Sequence, residues 1–113
     1  VAQMARLPDI LAAKRDVADR YQAFFVDRPE TFIAGRSGTR VNYWLNAILL
    51  ADRDERDALL EATNAAGVMT RPGWDLMTDL PMYKHCQNDG LTNARWLQDR
   101  LVNLPSSVPD GWL

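Results

Sequence analysis

Arg71, Pro72 and Trp74 stand together at the end of a short apolar run, and no other residues of this chain are as well suited to holding a ligand. A guanidinium held beside a flat indole suits a phosphate or a carboxylate carried next to a ring. Ordinary packing explains the same three residues, so from these side chains alone both readings stand. Other candidates carry less. His85 and Cys86 are neighbours, but a metal site takes three or four ligands at a recognisable spacing, and a Cys/His nucleophile needs an orienting third group. Glu55, Asp57 and Glu61 could imitate an acid/base pair, yet solvated helix faces carry such charges routinely. Gly35-Arg36-Ser37-Gly38 has two glycines and a cation but matches neither the Walker nor the dinucleotide fingerprint. The expectation is therefore no metal site and no catalytic residue within the chain.

The elements that must position Arg71 and Trp74 can be read from periodicity. Leu7, Ile10, Leu11, Val17, Ala18, Tyr21, Phe24 and Phe25 recur at three- and four-residue steps opposite Lys14, Arg15, Asp16, Asp19 and Arg20, which predicts an amphipathic helix. Pro8 fits its first turn, and Asp27-Arg28-Pro29 closes it. Thr31 to Ala34 could be a short strand, and Gly35 to Thr39 a loop. Tyr43 to Leu50 reads as a central strand covered on both faces, with helix as the competing reading. Asp52 and Glu55 resemble a capping box for a helix over about 53–66, and Gly67 sits where a left-handed C-terminal residue belongs. Val68 to Arg71 is then expected as a second strand beside the first, ended by Pro72. Gly73 to Gly90 reads as an irregular segment. Thr92 is expected to cap a last helix, with Leu91 against Trp96 as a staple and Leu97 and Leu101 on its apolar face. Val102 to Pro105 returns as a third strand. Trp44, Trp96 and Phe24 are expected in the core. The pattern predicts an α+β fold, a two-layer α/β sandwich.

Composition narrows the classes of function. The chain has 113 residues, 47% of them hydrophobic, which suits a single modest core. Its net charge of -2 comes from 15 acidic and 13 basic residues spread along the sequence, so no basic face is set aside for nucleic acid or anionic lipid. No apolar run approaches the roughly 18 residues of a membrane span, and Val1-Ala2-Gln3-Met4 lacks the regions of a signal peptide. Neither nucleic acid nor membrane is expected as a partner, and a cytoplasmic location is the expectation. One cysteine, Cys86, excludes an internal disulfide.

Several segments form an ordered set of landmarks. They are Gln3-Met4-Ala5-Arg6-Leu7-Pro8 with Lys14-Arg15, Asn42-Tyr43-Trp44-Leu45-Asn46, Arg56-Asp57-Ala58-Leu59-Leu60, Gly67-Val68-Met69-Thr70-Arg71-Pro72, Leu80-Pro81-Met82-Tyr83 and Asn103-Leu104-Pro105-Ser106-Ser107. In this order and spacing the chain resembles the C-terminal, small domain of the DegT/StrS family of pyridoxal-phosphate sugar aminotransferases. It resembles most the branch that aminates UDP-linked 4-keto sugars of the bacillosamine and legionaminic type for surface glycans and glycoproteins. The resemblance implies a fold-type I enzyme, normally a homodimer, that moves an amino group from glutamate to the keto sugar. It also implies that pyridoxal 5'-phosphate is bound mainly by a large domain outside this chain, with residues 1–7 a remnant of that domain's last helix and 8–113 the small domain.

The family's catalytic lysine has no match here, because neither Lys14 nor Lys84 lies in its motif, so the chain alone is expected to be inactive. Carried over position by position, Arg71 and Trp74 fall in the segment facing substrate, and Asn42 opens the strand leading there. Which cofactor contacts the chain makes is left open. Two departures stand out: relatives carry a histidine where this chain reads Leu76-Met77-Thr78, and a serine where it has Val41. With its partner surface absent, the first helix is expected to expose Ile10 or Val17. A free-standing α+β ligand-binding or interaction module is the alternative, since fold alone does not separate the two.

Overall fold

The computed structural model describes residues 3–112. A short 3-10 turn at Met4–Arg6 leads directly into α1 (Leu7–Phe25), which carries Pro8 in its first turn. Val1 and Ala2, which belong to the expected remnant, lie outside the described residues. β1 (Thr31–Phe32) and β2 (Asn46–Leu49) precede α2 (Arg53–Ala65). β3 (Arg71–Pro72), 3-10 turns at Met77–Asp79 and Pro81–Tyr83, α3 (Thr92–Gln98) and β4 (Leu101–Leu104) complete the order.

The four strands make one antiparallel sheet in the order β1-β2-β4-β3. β2 and β4 are its centre and pair along their whole length, from Asn46 opposite Leu104 to Leu49 opposite Leu101. α1 packs on β1, and α2 packs on β3 and β4, which is the expected α+β arrangement. The core gathers Ile48 and Val102, both essentially inaccessible, with Leu50, and Phe25, Phe32, Leu59, Leu60 and Leu104 close around them. Ile48 and Val102 are register partners, so their side chains leave the same face of the sheet.

Sequence expectations and structure part at several points. The strand expected over 43–50 begins only at Asn46, because Tyr43 takes a left-handed backbone (φ 48°) and the Asn42 side chain closes a turn before it. The strand expected over 68–71 is confined to Arg71–Pro72, and it pairs with β4, not with β2. β4 has taken the place beside β2. Leu101 belongs to β4 and not to α3, and α3 starts after a left-handed Leu91 (φ 54°) with no side-chain cap from Thr92. Phe24, Trp44 and Trp96 are exposed, not buried. Phe24 and Trp96 are covered from outside instead, by Arg28 and Arg100 guanidinium groups 4.0 and 4.7 Å from their ring centres. Val17, expected to be exposed, is buried, and Ile10 is partly buried, while Leu7 and Phe24 at the two ends of the α1 stripe stay exposed.

Candidate functional site

Three local devices bring Arg71 and Trp74 to one place. The first is the end of α2. There the Gly67 N–H donates to the Asn64 carbonyl at 3.0 Å and the Val68 N–H to the Thr63 carbonyl at 2.8 Å, the double bond of a Schellman cap with Gly67 at φ 79°. The chain reverses and lays Thr70 against the helix it has just left. Thr70 is buried. Its hydroxyl meets that of Thr63 at 2.6 Å, and Asn64 Nδ2 donates to its hydroxyl and carbonyl at 3.0 and 3.2 Å. Arg71 follows at once, in register with Asn103 of β4. Asn103 Nδ2 donates to the Pro72 carbonyl at 3.2 Å, and the Gly73 N–H to the Leu101 carbonyl at 3.3 Å, so the approach to Trp74 is held to the central strand.

The second device ties the end of β4 to β2 and α1. Ser106 Oγ accepts the Asn46 backbone N–H at 2.7 Å and Asn46 Nδ2 at 3.2 Å, and donates to the Leu104 carbonyl at 2.8 Å. From α1, Lys14 Nζ donates to the Ser106 carbonyl, and the Tyr21 hydroxyl to the Pro105 carbonyl at 2.9 Å. Burial pushes the Tyr21 phenol above its ordinary value. The third device is the turn at Asn42, whose Oδ1 accepts the Trp44 N–H at 3.0 Å. Trp44 thereby leaves the core and stands 65% exposed.

Together these devices shape an open cleft of about 720 Å³ lined by Arg71 and Trp74, by Trp44, Leu45 and Met69, and by the segment from Asn103 to Ser107. Of the three residues singled out by sequence, Arg71 and Trp74 line it. Asn42 does not, and it acts one step back, on Trp44. Trp44 was the residue that sequence reasoning missed. Its signal was the Asn42 that precedes it by two, a spacing that makes Asx turns.

The cleft is mostly apolar, with one cation and few polar groups, the composition of a ligand site. Arg71 makes no ion pair among the described residues, although Asp75 shares the cleft wall. A neighbouring cleft of about 390 Å³ differs in kind. Its arginines face aspartates, with Arg53 3.7 Å from Asp99 and Arg95 3.3 Å from Asp79, so its charges are already compensated. Among the described residues no group of three His, Cys, Asp or Glu side chains could hold a metal, and Cys86 is exposed and free. Glu55 and Asp57 have structural partners: Glu55 accepts the Ala51 N–H at 3.3 Å, and Asp57 binds the Arg56 Nε at 2.8 Å. No helix of the described residues is long and apolar enough to cross a membrane.

The chain is thus an α+β domain with an open, indole-lined cleft at the end of its central strands. The family model for DegT/DnrJ/EryC1/StrS aminotransferases matches residues 1–109, and the chain belongs to that family. GDP-perosamine synthase of Vibrio cholerae is 32% identical over 109 residues, which cover 94% of this chain and 30% of that protein. The aminotransferase TlmJ of Streptoalloteichus hindustanus superposes with a TM-score of 0.83 at 21% identity, over 93% of this chain and 28% of its own. A protein assigned as a sugar aminotransferase in Streptococcus pneumoniae, solved in apo, PLP and PMP forms, reaches a TM-score of 0.83 in its apo form at 23% identity, over 95% of this chain and 28% of its own. The chain thus spans about 30% of the length of the curated relative it matches. The sheet and helices described above are the corresponding part of the fold-type I aminotransferase fold.

Pyridoxal phosphate is the cofactor of this family. The described residues do not by themselves fit it. A Schiff base to its aldehyde would take a free amine, and Lys14 is held on the Ser106 carbonyl while Lys84 is outside the cleft lining.

Proposed function

We propose that this chain is the small domain of a pyridoxal-phosphate sugar-nucleotide aminotransferase, and that its Arg71 cleft faces the sugar nucleotide. The observation that carries the reading is the pairing of an uncompensated guanidinium with exposed indoles in one cleft of a chain that belongs to a sugar-aminotransferase family. Glutamate is the amino donor and a nucleotide-linked keto sugar the acceptor. In this reading the cofactor is held by polypeptide outside the chain and supplies the electron sink for amino transfer. This chain's residues bind and orient: Arg71 forks onto an anionic group of the substrate, Trp74 covers a ring of the substrate from one side, and Asn42 holds Trp44 in place. The UDP-linked sugars of the bacillosamine and legionaminic branch are the acceptors the landmarks suggest, and the GDP in the name of the Vibrio cholerae relative suggests a second set. The enzyme acts in the cytoplasm as a homodimer. The family match and the open cleft favour this reading over a free-standing binding module.

The test is amino transfer by the natural polypeptide that carries this sequence, loaded with pyridoxal phosphate and given glutamate and a panel of UDP-, dTDP- and GDP-linked 4-keto sugars. The reading expects 2-oxoglutarate and an amino sugar with one of the three sets. No transfer to any of them, with the cofactor bound, overturns it.

A further inference from the structure

We infer that the cleft takes the nucleoside diphosphate end of the substrate, with the base stacked on Trp44 and Trp74 and the diphosphate on Arg71. This rests on the reading of the chain as part of a sugar-nucleotide enzyme.

The tryptophans of this chain are of two kinds, covered and open. Exposed Trp96 and half-buried Trp112 each carry an arginine guanidinium over the ring, at 4.7 and 4.4 Å from the ring centre, as Phe24 does at 4.0 Å, while exposed Tyr83 has no such cover among the described residues. Arg28, Arg100 and Arg20 provide this cover from the chain itself. Trp44 and Trp74 have no such cover among the described residues, although Trp74 is 80% exposed and Arg71 lines the same cleft. Arg71 stacks on no ring and makes no ion pair among the described residues, although Asp75 also lines the cleft.

Two open π faces and one open guanidinium fork are complementary to a molecule that is a flat heterocycle at one end and a polyanion at the other. The carboxylate of the amino donor would use the guanidinium and leave both indoles without purpose. A cleft of about 720 Å³ has room for more than an amino acid. The floor agrees with this. Ser106 and Asn46 are locked to each other and Lys14 to the Ser106 carbonyl, so the end of β4 is a rigid platform with Ser107 beside it. The backbone before Trp44 is fixed as well, by the Asn42 turn and the left-handed Tyr43. The platform and the backbone that leads to Trp44 are therefore set in place before a ligand arrives, which lowers part of the ordering cost of binding.

The chain has four tryptophans, so the indole N–H resonances of a ¹⁵N-labelled sample report each ring separately. Titration with GDP, UDP and inorganic pyrophosphate should shift the Trp44 and Trp74 resonances with the two nucleotides and leave Trp96 and Trp112 in place. Both tryptophans are exposed, so W44A and W74A retain the fold, which the unchanged Trp96 and Trp112 resonances verify. Each should weaken nucleotide binding about tenfold and leave pyrophosphate binding unchanged, while R71A weakens all three ligands. Nucleotides that move neither indole, or that bind W44A and W74A as tightly as the parent, overturn the inference. Amino transfer to nucleotide sugars with KM unmoved by the tryptophan substitutions would sink the clamp and leave the proposed function standing. Loss of all transfer, with GDP still shifting the two indoles, would do the reverse.

Discussion

Arg56 shows what a buried cation costs when its partners are fixed. It is 7% exposed, and its guanidinium reaches Asp57 and the Gln98 carbonyl just before the α3–β4 connection. Arg56→Ala leaves that carbonyl unpartnered and opens a void, so urea unfolding should show a loss of about 2–4 kcal/mol. Tyr21 has a different signature. Its hydroxyl holds the Pro105 carbonyl, and burial raises its phenol above the ordinary value of 10.0. A raised folded value means that the folded state favours the neutral phenol. The contribution is whole below the unfolded value and is lost as pH rises through the folded one. Tyr21→Phe should cost about 1 kcal/mol at neutral pH, and the melting temperature of the variant should fall less steeply above pH 10 than that of the parent. At this scale the sequence marked Arg71 and Trp74 as a pair, and both line the one cleft, although their types alone suited packing as well as a ligand. It was not legible for Trp44. An apolar aromatic next to an apolar run looks like core, and it is the Asn42 turn with the left-handed Tyr43 that turns it outward, of which only Asn42 leaves a trace in the sequence.

Among the elements, α2 was the most readable and α3 the least. The Asp52 carboxylate accepts the Glu55 N–H at 2.9 Å, and Glu55 reaches back to the Ala51 N–H, one residue beyond the usual box. Asp52→Ala should therefore lower stability by about 1 kcal/mol in a thermal melt. At the other end Gly67→Ala forces a Cβ into the left-handed region, where it meets nothing else within 4 Å, so the loss of about 1–2 kcal/mol is purely conformational. The same substitution loosens the turn that delivers Thr70 and Arg71, so ligand affinity should fall with it. The ends of α2 were legible because its caps are local chemistry, whereas the expected Thr92 cap of α3 did not form. Strand limits were not, because β3 is two residues long and exists only where β4 offers it a partner. The expected pairing of β3 with β2 failed for the same reason: register is a property of the assembled sheet.

For the whole molecule, the topology explains why the cleft sits where it does. β4 runs between β2 and β3, so the end of one central strand, the start of the other and the edge strand with Arg71 converge. Ile48 and Val102, at the middle of that pair, are the least accessible of the large apolar residues described, and Ile48→Ala should cost about 2–5 kcal/mol by urea unfolding. The layer arrangement was legible from periodicity, and the family from the order of its landmarks, while the cleft emerged only once the strands were in place. The central claim is that Arg71 serves the sugar nucleotide and not the amino donor. The most direct test compares Arg71→Ala with the parent in the natural polypeptide carrying this sequence, measuring kcat/KM separately for glutamate and for the nucleotide-linked keto sugar. The account predicts a fall of at least tenfold for the sugar nucleotide with the glutamate value unchanged. An equal fall for both, or a fall for glutamate alone, would contradict it.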